Sequence, residues 1–213
     1  MIKKYEFTGE TKECGGVTLK RIRATIDFTL KDGTKVVKGE EGGWIEKEGN
    51  LSHTGSAWVY GNAKVYGDAR VYSNAWVYGN AKVYGDAEVY GNAKVSGNAV
   101  VKGGAQVYGN AWVYGEAKAC SNAMVSGEAR IGGDAKVERK SDVIWFKNIW
   151  SSGRIFTYTR SNGKWTVGCF YGTGEELIKK AYADSETSGR CYEAIVRATE
   201  EIYKAITERG ENV

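Results

Sequence analysis

From residue 55 to 138 apolar and polar positions follow one six-residue cycle without an insertion: Gly, Asn or Asp, Ala, a variable residue, Val, and most often Tyr. Alanine fills all fourteen equivalent positions from Ala57 to Ala135, and valine fills twelve of the fourteen positions two residues on, Ala119 and Ile131 being the exceptions. Glycine holds twelve of the fourteen turn positions, with Ser73 and Ser121 in the other two. Weaker copies reach back to Gly43, and Gly49-Asn50-Leu51 keeps the phase. Ala and Val two apart point to one side of a strand, and the variable residue and Tyr to the other. Each hexad is therefore a very short strand with one apolar edge, followed by a corner whose Gly-Asn or Gly-Asp accepts left-handed backbone angles. Such a strand cannot bury its edge alone, but three hexads per coil stack into a triangular prism of about eighteen residues per turn. The pattern predicts a parallel β-helix over residues 43–139, of about five coils and on the order of 25 Å long.

The period is absent on both sides, and the two flanks predict caps for the open ends of the rod. Residues 1–42 read as a small β cap, with a strand at 3–8 and a hairpin of 17–30 and 34–38 joined at 31–34. Residues 140–213 read as an α+β domain. Its three antiparallel strands fall at 143–146, 154–160 and 165–170, with turns at 151–153 and 161–163. A helix over 175–183 starts behind Thr173 as its cap. A second helix over 190–208 places Tyr192, Ile195, Val196, Thr199, Ile202, Tyr203 and Ile206 on one face, to pack on the small sheet or on the same helix of another subunit.

Composition agrees with the repeat. The chain of 213 residues has 29 glycines and no proline, where average usage gives roughly 15 and about 10. A ladder that needs every backbone N–H has no place for proline. No apolar run approaches a membrane span, and the start has no apolar stretch of signal-peptide length. Cys14, Cys120, Cys169 and Cys191 show neither CxxC spacing nor disulfide density, which fits reduced thiols. The expectation is a soluble, cytoplasmic protein without metal or cofactor. A net charge of +4 is mild and names no partner.

With eighteen residues per coil, outward side chains sort into three faces. The first carries Trp58, Trp76, Lys94 and Trp112 beside Tyr60, Tyr78, Ser96 and Tyr114, an aromatic wall. The second carries Lys64, Lys82, Val100, Lys118 and Lys136 beside Tyr66, Tyr84, Lys102 and Cys120. The third, with Arg70, Glu88, Gln106 and Met124 beside Tyr72, Tyr90, Tyr108 and Ser126, is mixed. Contiguous outward tryptophan and tyrosine mark an interaction surface, for a protein partner or for a second copy in a dimer or trimer. The plainer reading is cross-strand stacking alone. The lysine face has the charge and rings of a single-strand nucleic-acid groove, but Asp68 and Asp86 at the neighbouring corners and the small net charge favour a solvated face.

V-Y-G-N-A-K and its copies resemble the hexapeptide repeat of left-handed parallel β-helix proteins, and the handedness rests on that resemblance, because general crossover rules favour the opposite hand. The whole chain is also similar to small accessory proteins of bacteriophages and prophages, through Gly42–Glu46 (G-G-W-I-E), Leu51-Ser52 and Gly168–Thr173 (G-C-F-x-G-T). The first resemblance implies trimers through the faces, and acyltransferase or zinc carbonic anhydrase activity in some members. Three-histidine zinc chemistry is excluded, because His53 is the only histidine. As an acyltransferase base His53 stands in the inward-pointing phase of Val59, and no inserted loop builds a site around it. Cys169 reads as a buried strand cysteine rather than a nucleophile. The expected function is therefore that of a non-enzymatic, phage-type binding or scaffold protein without catalytic residues. It presents the rigid β-helix and the C-terminal domain to a protein partner, with inhibition of a host factor or defence system as the special case implied by origin. Acyltransferase activity and nucleic-acid binding are the alternatives.

Overall fold

The structure, a computed structural model, describes residues 3–150 and 153–208. The hexads fold as read. Three parallel sheets run along the rod, and equivalent residues eighteen apart are in register: Lys64, Lys82, Val100, Lys118 and Lys136 in one sheet, Arg70, Glu88, Gln106 and Met124 in the second, Trp58, Trp76, Lys94, Trp112 and Arg130 in the third. The alanine and valine columns between Ala57 and Val137 are wholly buried. This narrow interior needs no larger side chain, because the three sheets converge on it. The corners lie in the left-handed region, and Ser73 (φ 61°) and Ser121 (φ 55°) adopt it as the glycines do.

Each coil donates its backbone N–H groups to the carbonyls of the next coil, as from Lys64 to Ala81, Lys82 to Ala99, Val100 to Ala117 and Lys118 to Ala135, at 2.8–2.9 Å. The return bonds of a parallel ladder run between the same coils, so each end of the rod is left with both N–H groups and carbonyls to satisfy. Unpaired backbone groups are costly when buried, and each end has a specific answer. At the first coil, Lys4 Nζ donates to Ala57 O at 2.6 Å and Gly55 O at 3.4 Å, and Asn50 Nδ2 donates to Gly67 O and Ala69 O at 3.0 and 2.8 Å. At the last coil, Thr157 Oγ1 accepts from Arg130 N at 3.0 Å and Ser161 Oγ from Lys136 N at 2.9 Å.

The N-terminal cap differs from its expected outline. Strands Tyr5–Cys14 and Val17–Ala24 form one long antiparallel hairpin turning at Gly15-Gly16, and Val17–Ala24 pairs with Glu41–Ile45, which joins the lysine sheet in parallel with Lys64–Val65. The cap thus extends one wall of the solenoid. A second, smaller hairpin, Phe28–Thr29 with Lys35–Val36, turns at residues 30–34 and lies along the tryptophan face. Gly42 and Gly43 are required where the cap meets the first coil: a Cβ on Gly42 would approach Ile22 and Trp58 to 2.6 and 2.8 Å, and one on Gly43 would approach Val59 to 2.7 Å.

The C-terminal domain has four antiparallel strands rather than three: Val143–Lys147, Ile155–Thr159, Lys164–Val167 and Phe170–Gly172. A tight turn at Gly168-Cys169 splits the third expected strand. Of the turn expected at 151–153, Ser151 and Ser152 lie outside the described residues. Helix α1 (Gly174–Asp184) begins at Thr173, whose hydroxyl accepts from Glu176 N while the Glu176 carboxylate accepts from Thr173 N. Helix α2 (Glu186–Glu208) starts four residues earlier than expected. It packs on the sheet through Tyr192 and Val196, against Phe156, Trp165 and Leu177, while Ile202 is exposed. Among the described residues no helix is long and apolar enough to cross a membrane.

Two measurements test the end caps. Thr157→Val keeps the volume but orphans the Arg130 N–H, and denaturant unfolding should show a loss of about 1–3 kcal/mol. Burial lowers the Lys4 ammonium from 10.5 to about 8, so the stability that Lys4 contributes is complete above pH 10.5 and is lost as pH falls through about 8. Thermal unfolding should therefore favour wild type over Lys4→Met more at about pH 10 than at about pH 7; a pH-independent difference would contradict a buried ammonium.

Candidate binding face

The tryptophan face is built by register. Trp58, Trp76, Lys94, Trp112 and Arg130 follow one another along the third sheet, one per coil, with Tyr60, Tyr78, Ser96 and Tyr114 two residues further along each strand. Trp58 does not belong to the open face: it is wholly buried beneath the N-terminal cap, with the Phe28 ring edge-on at 5.3 Å and Tyr5 at 6.4 Å. Its expected outward role is thus corrected. The sequence placed Trp58 in the outward phase correctly, but the cap folds over that coil.

The remaining residues of the face stay accessible. Tyr60 is exposed, and Trp76, Tyr78, Trp112 and Tyr114 are half-buried. Trp76 packs on Tyr78 at 4.2 Å and Trp112 on Tyr114 at 4.8 Å, so each tryptophan and tyrosine of one strand form an aromatic pair. Trp112 Nε1 donates to Ser96 Oγ at 2.9 Å, which explains the serine in the tyrosine column. Lys94 Nζ lies 5.3 Å from the Trp76 ring, a cation–π distance.

The tip of the small hairpin reaches Lys94. Asp32 Oδ2 accepts from Lys94 Nζ at 3.1 Å, and Asp32 Oδ1 accepts from Thr34 N. Burial works against ionisation of Asp32, but the Thr34 N–H and the Lys94 ammonium outweigh it and hold the carboxyl below its usual range. Beyond the tip lies a cavity of about 330 Å³ between Leu30, Asp32, Trp76, Lys94, Trp112 and Arg130, edged by the corner amides Asn74, Asn92 and Asn110. Those amides form a ladder, Asn74 to Asn92 at 3.2 Å and Asn92 to Asn110 at 3.0 Å. A second cavity of about 320 Å³ shares Trp112 and Arg130 and ends at Cys169, Phe170 and Tyr171 of the C-terminal sheet. The Trp112–Arg130 pair thus stands between two cavities, the first, called the groove below, at the hairpin tip and the second at the C-terminal sheet.

Cys169 corrects a further expectation. It is exposed at the turn after Gly168 (φ 60°), not buried in a strand; the G-C-F segment is a corner rather than a core. Cys120 is the buried cysteine.

His53 is part of the N-terminal cap, half-buried rather than inside the coil. Its ring stacks on Tyr5 at 4.2 Å and its Nδ1 accepts from Lys4 N at 3.1 Å. With Nδ1 as acceptor, the neutral ring carries its proton on Nε2, which is buried without a partner. Burial lowers its pKa, so this neutral form is favoured. A base needs the opposite arrangement, a lone pair aimed at substrate.

On the second face Lys82, Lys118 and Lys136 are exposed and Lys64 half-buried, and Lys136 pairs with Glu138 at 2.8 Å. Tyr66 and Tyr84 stack parallel on each other at 4.9 Å, so each ring already uses one face. On the third, Tyr72, Tyr90 and Tyr108 stack at 5.0 Å and Arg70 pairs with Glu88. Among the described residues no group of three or more His, Cys, Asp and Glu side chains is arranged to hold a metal.

A family model described as the YdcK beta solenoid repeat matches residues 63–79 and 105–117. Both segments lie in the hexad array, and both fold as coils of the three-sided rod. The chain is a β-solenoid repeat protein. No curated protein matches it. In this solenoid the two tryptophan environments differ enough to test. Trp58→Ala should cost about 3–5 kcal/mol in denaturant unfolding, whereas Trp76→Ala, on a half-open face, should cost clearly less; equal losses would mean that the cap does not shield Trp58.

Proposed function

We propose that this solenoid is a non-enzymatic binding protein that presents its tryptophan face, framed by the two caps, to a protein partner. The observation that carries the reading is the contiguous accessible set of Tyr60, Trp76, Tyr78, Trp112 and Tyr114 on a sheet whose residues are fixed by register. Tryptophan, tyrosine and arginine are the residues most enriched where binding energy concentrates, and a sheet that loses little freedom on binding wastes little of it. On the other two faces the tyrosines stack on one another instead. The position of His53 within the cap supports this reading over an acyltransferase, and the self-stacked Tyr66 and Tyr84 support it over nucleic-acid binding. The similarity to phage and prophage accessory proteins makes a host factor or defence component, met in the host cytoplasm, the partner of choice.

The same face is also available to a second copy of the chain, so the test separates the two. Tyr60→Ser, Trp76→Ser and Trp112→Ser combined leave the buried Trp58 in place. Solution mass and affinity capture from cells are compared between this variant and wild type, with folding checked by circular dichroism. A protein retained by wild type and lost by the variant, at unchanged mass, is the expected outcome. A variant that falls to a smaller mass would assign the face to self-association instead. Identical capture and mass would overturn the proposal.

A further inference from the structure

Along the tryptophan face the outward residues beyond Trp58 alternate: Trp76, Lys94, Trp112, Arg130. Neighbouring coils are about 4.8 Å apart, so each tryptophan has a cation one step further along the rod, and the pattern repeats after two coils. The face thus holds two equivalent half-sites, Trp76 with Lys94 and Trp112 with Arg130.

In the first half-site the cation is met by the chain itself. The hairpin tip brings the Asp32 carboxylate onto Lys94 at 3.1 Å, with Leu30 lining the same cavity. The carboxylate follows the buried Leu30 by two residues, and both line the cavity. Arg130 of the second half-site lines both cavities and forms no ion pair among the described residues. Its backbone N–H is already used in the end cap, which fixes the position of its guanidinium stem. A guanidinium matches a carboxylate with two parallel hydrogen bonds, more closely than the Lys94 ammonium does. Lys31, Lys94 and Arg130 against the single carboxylate of Asp32 leave the groove lining cationic.

We infer that the groove receives an extended acidic segment of a protein partner, seating an apolar or aromatic side chain on Trp112 and a carboxylate on Arg130, with Asp32 as the built-in counterpart that occupies Lys94. This rests on the tryptophan face being the binding surface and names the chemistry of what it binds. A segment crossing the groove has the corner amides Asn92 and Asn110 along its edge to meet backbone groups. The hairpin tip competes for the first half-site only, so a longer acidic segment displaces Asp32 at some cost.

The probe is a fluorescent random copolymer of glutamate and tyrosine, titrated into the full chain by anisotropy at low and at physiological salt. Polyglucuronate and single-stranded DNA of matched charge serve as the other polyanions. The copolymer should bind, and Arg130→Gln and Trp112→Ala should each weaken it about tenfold. Asp32→Asn should tighten it, because Lys94 becomes available, while Asp86→Asn makes the same charge change at an exposed corner away from the groove and should have little effect. Absence of copolymer binding at low salt would overturn the inference. So would equal or tighter binding of polyglucuronate or DNA, equal effects of Asp32→Asn and Asp86→Asn, or insensitivity to Arg130→Gln in a folded variant. If the copolymer fails while a captured protein is still lost with the Tyr60, Trp76 and Trp112 substitutions, the acidic-segment inference falls and the binding face stands.

Discussion

One hydrogen bond, repeated, organises this protein: the backbone N–H of a residue to the carbonyl seventeen positions later, one coil up the rod. Everything else follows from keeping it continuous. The alanine and valine columns have to be small and uniform, so that no coil is pushed out of register. The corners have to turn with left-handed angles, so that three walls close. The chain has to contain no proline, because each wall position spends its N–H. The ends, which the ladder cannot satisfy itself, need groups from outside it. A lysine ammonium and an asparagine amide donate to the exposed carbonyls at one end, and threonine and serine hydroxyls accept at the other.

The same ladder converts sequence position into surface position. A residue eighteen places on appears one coil further along the same wall, so the order Trp76, Lys94, Trp112, Arg130 in the chain becomes a straight row in space. No loop has to be folded to assemble that row. Its two ends meet the caps, which makes cap and site one piece of architecture: the hairpin that buries Trp58 also carries Asp32 to Lys94.

Much of this was legible in the sequence because the repeat is local. The phase, the register, the three faces and the corner positions of Ser73 and Ser121 follow from a six-residue count. What was not legible depends on long-range packing. Trp58 has the same hexad environment as Trp76, and only the cap, folded from residues far off in the chain, tells them apart. The turn at Gly15-Gly16 was open to reading from its glycine pair, but the strands it joins alternate too loosely to declare their length. Cys169 follows a glycine, Gly168, whose positive φ makes a corner; the apolar neighbours suggested a strand instead. Arg130 was missed because the column was read only as far as its last tryptophan, although its place one coil beyond Trp112 was open to the same count. Asp32 carried no such signal: its importance comes from the distance the hairpin reaches.

The separate capping of the two ends has a consequence for length. Because the bonds that close the ladder reach only its first and last coils, the rod between them is a stack of eighteen-residue units that can grow or shrink only in whole steps. A one-residue insertion turns every downstream side chain inside out, whereas a whole coil added or removed beyond Lys94 keeps the end-capping bonds and the Asp32–Lys94 pair. The solenoid is in this sense a ruler with fixed ends, and evolution can reset the spacing between hairpin tip and C-terminal turn in increments of one coil without redesigning either terminus.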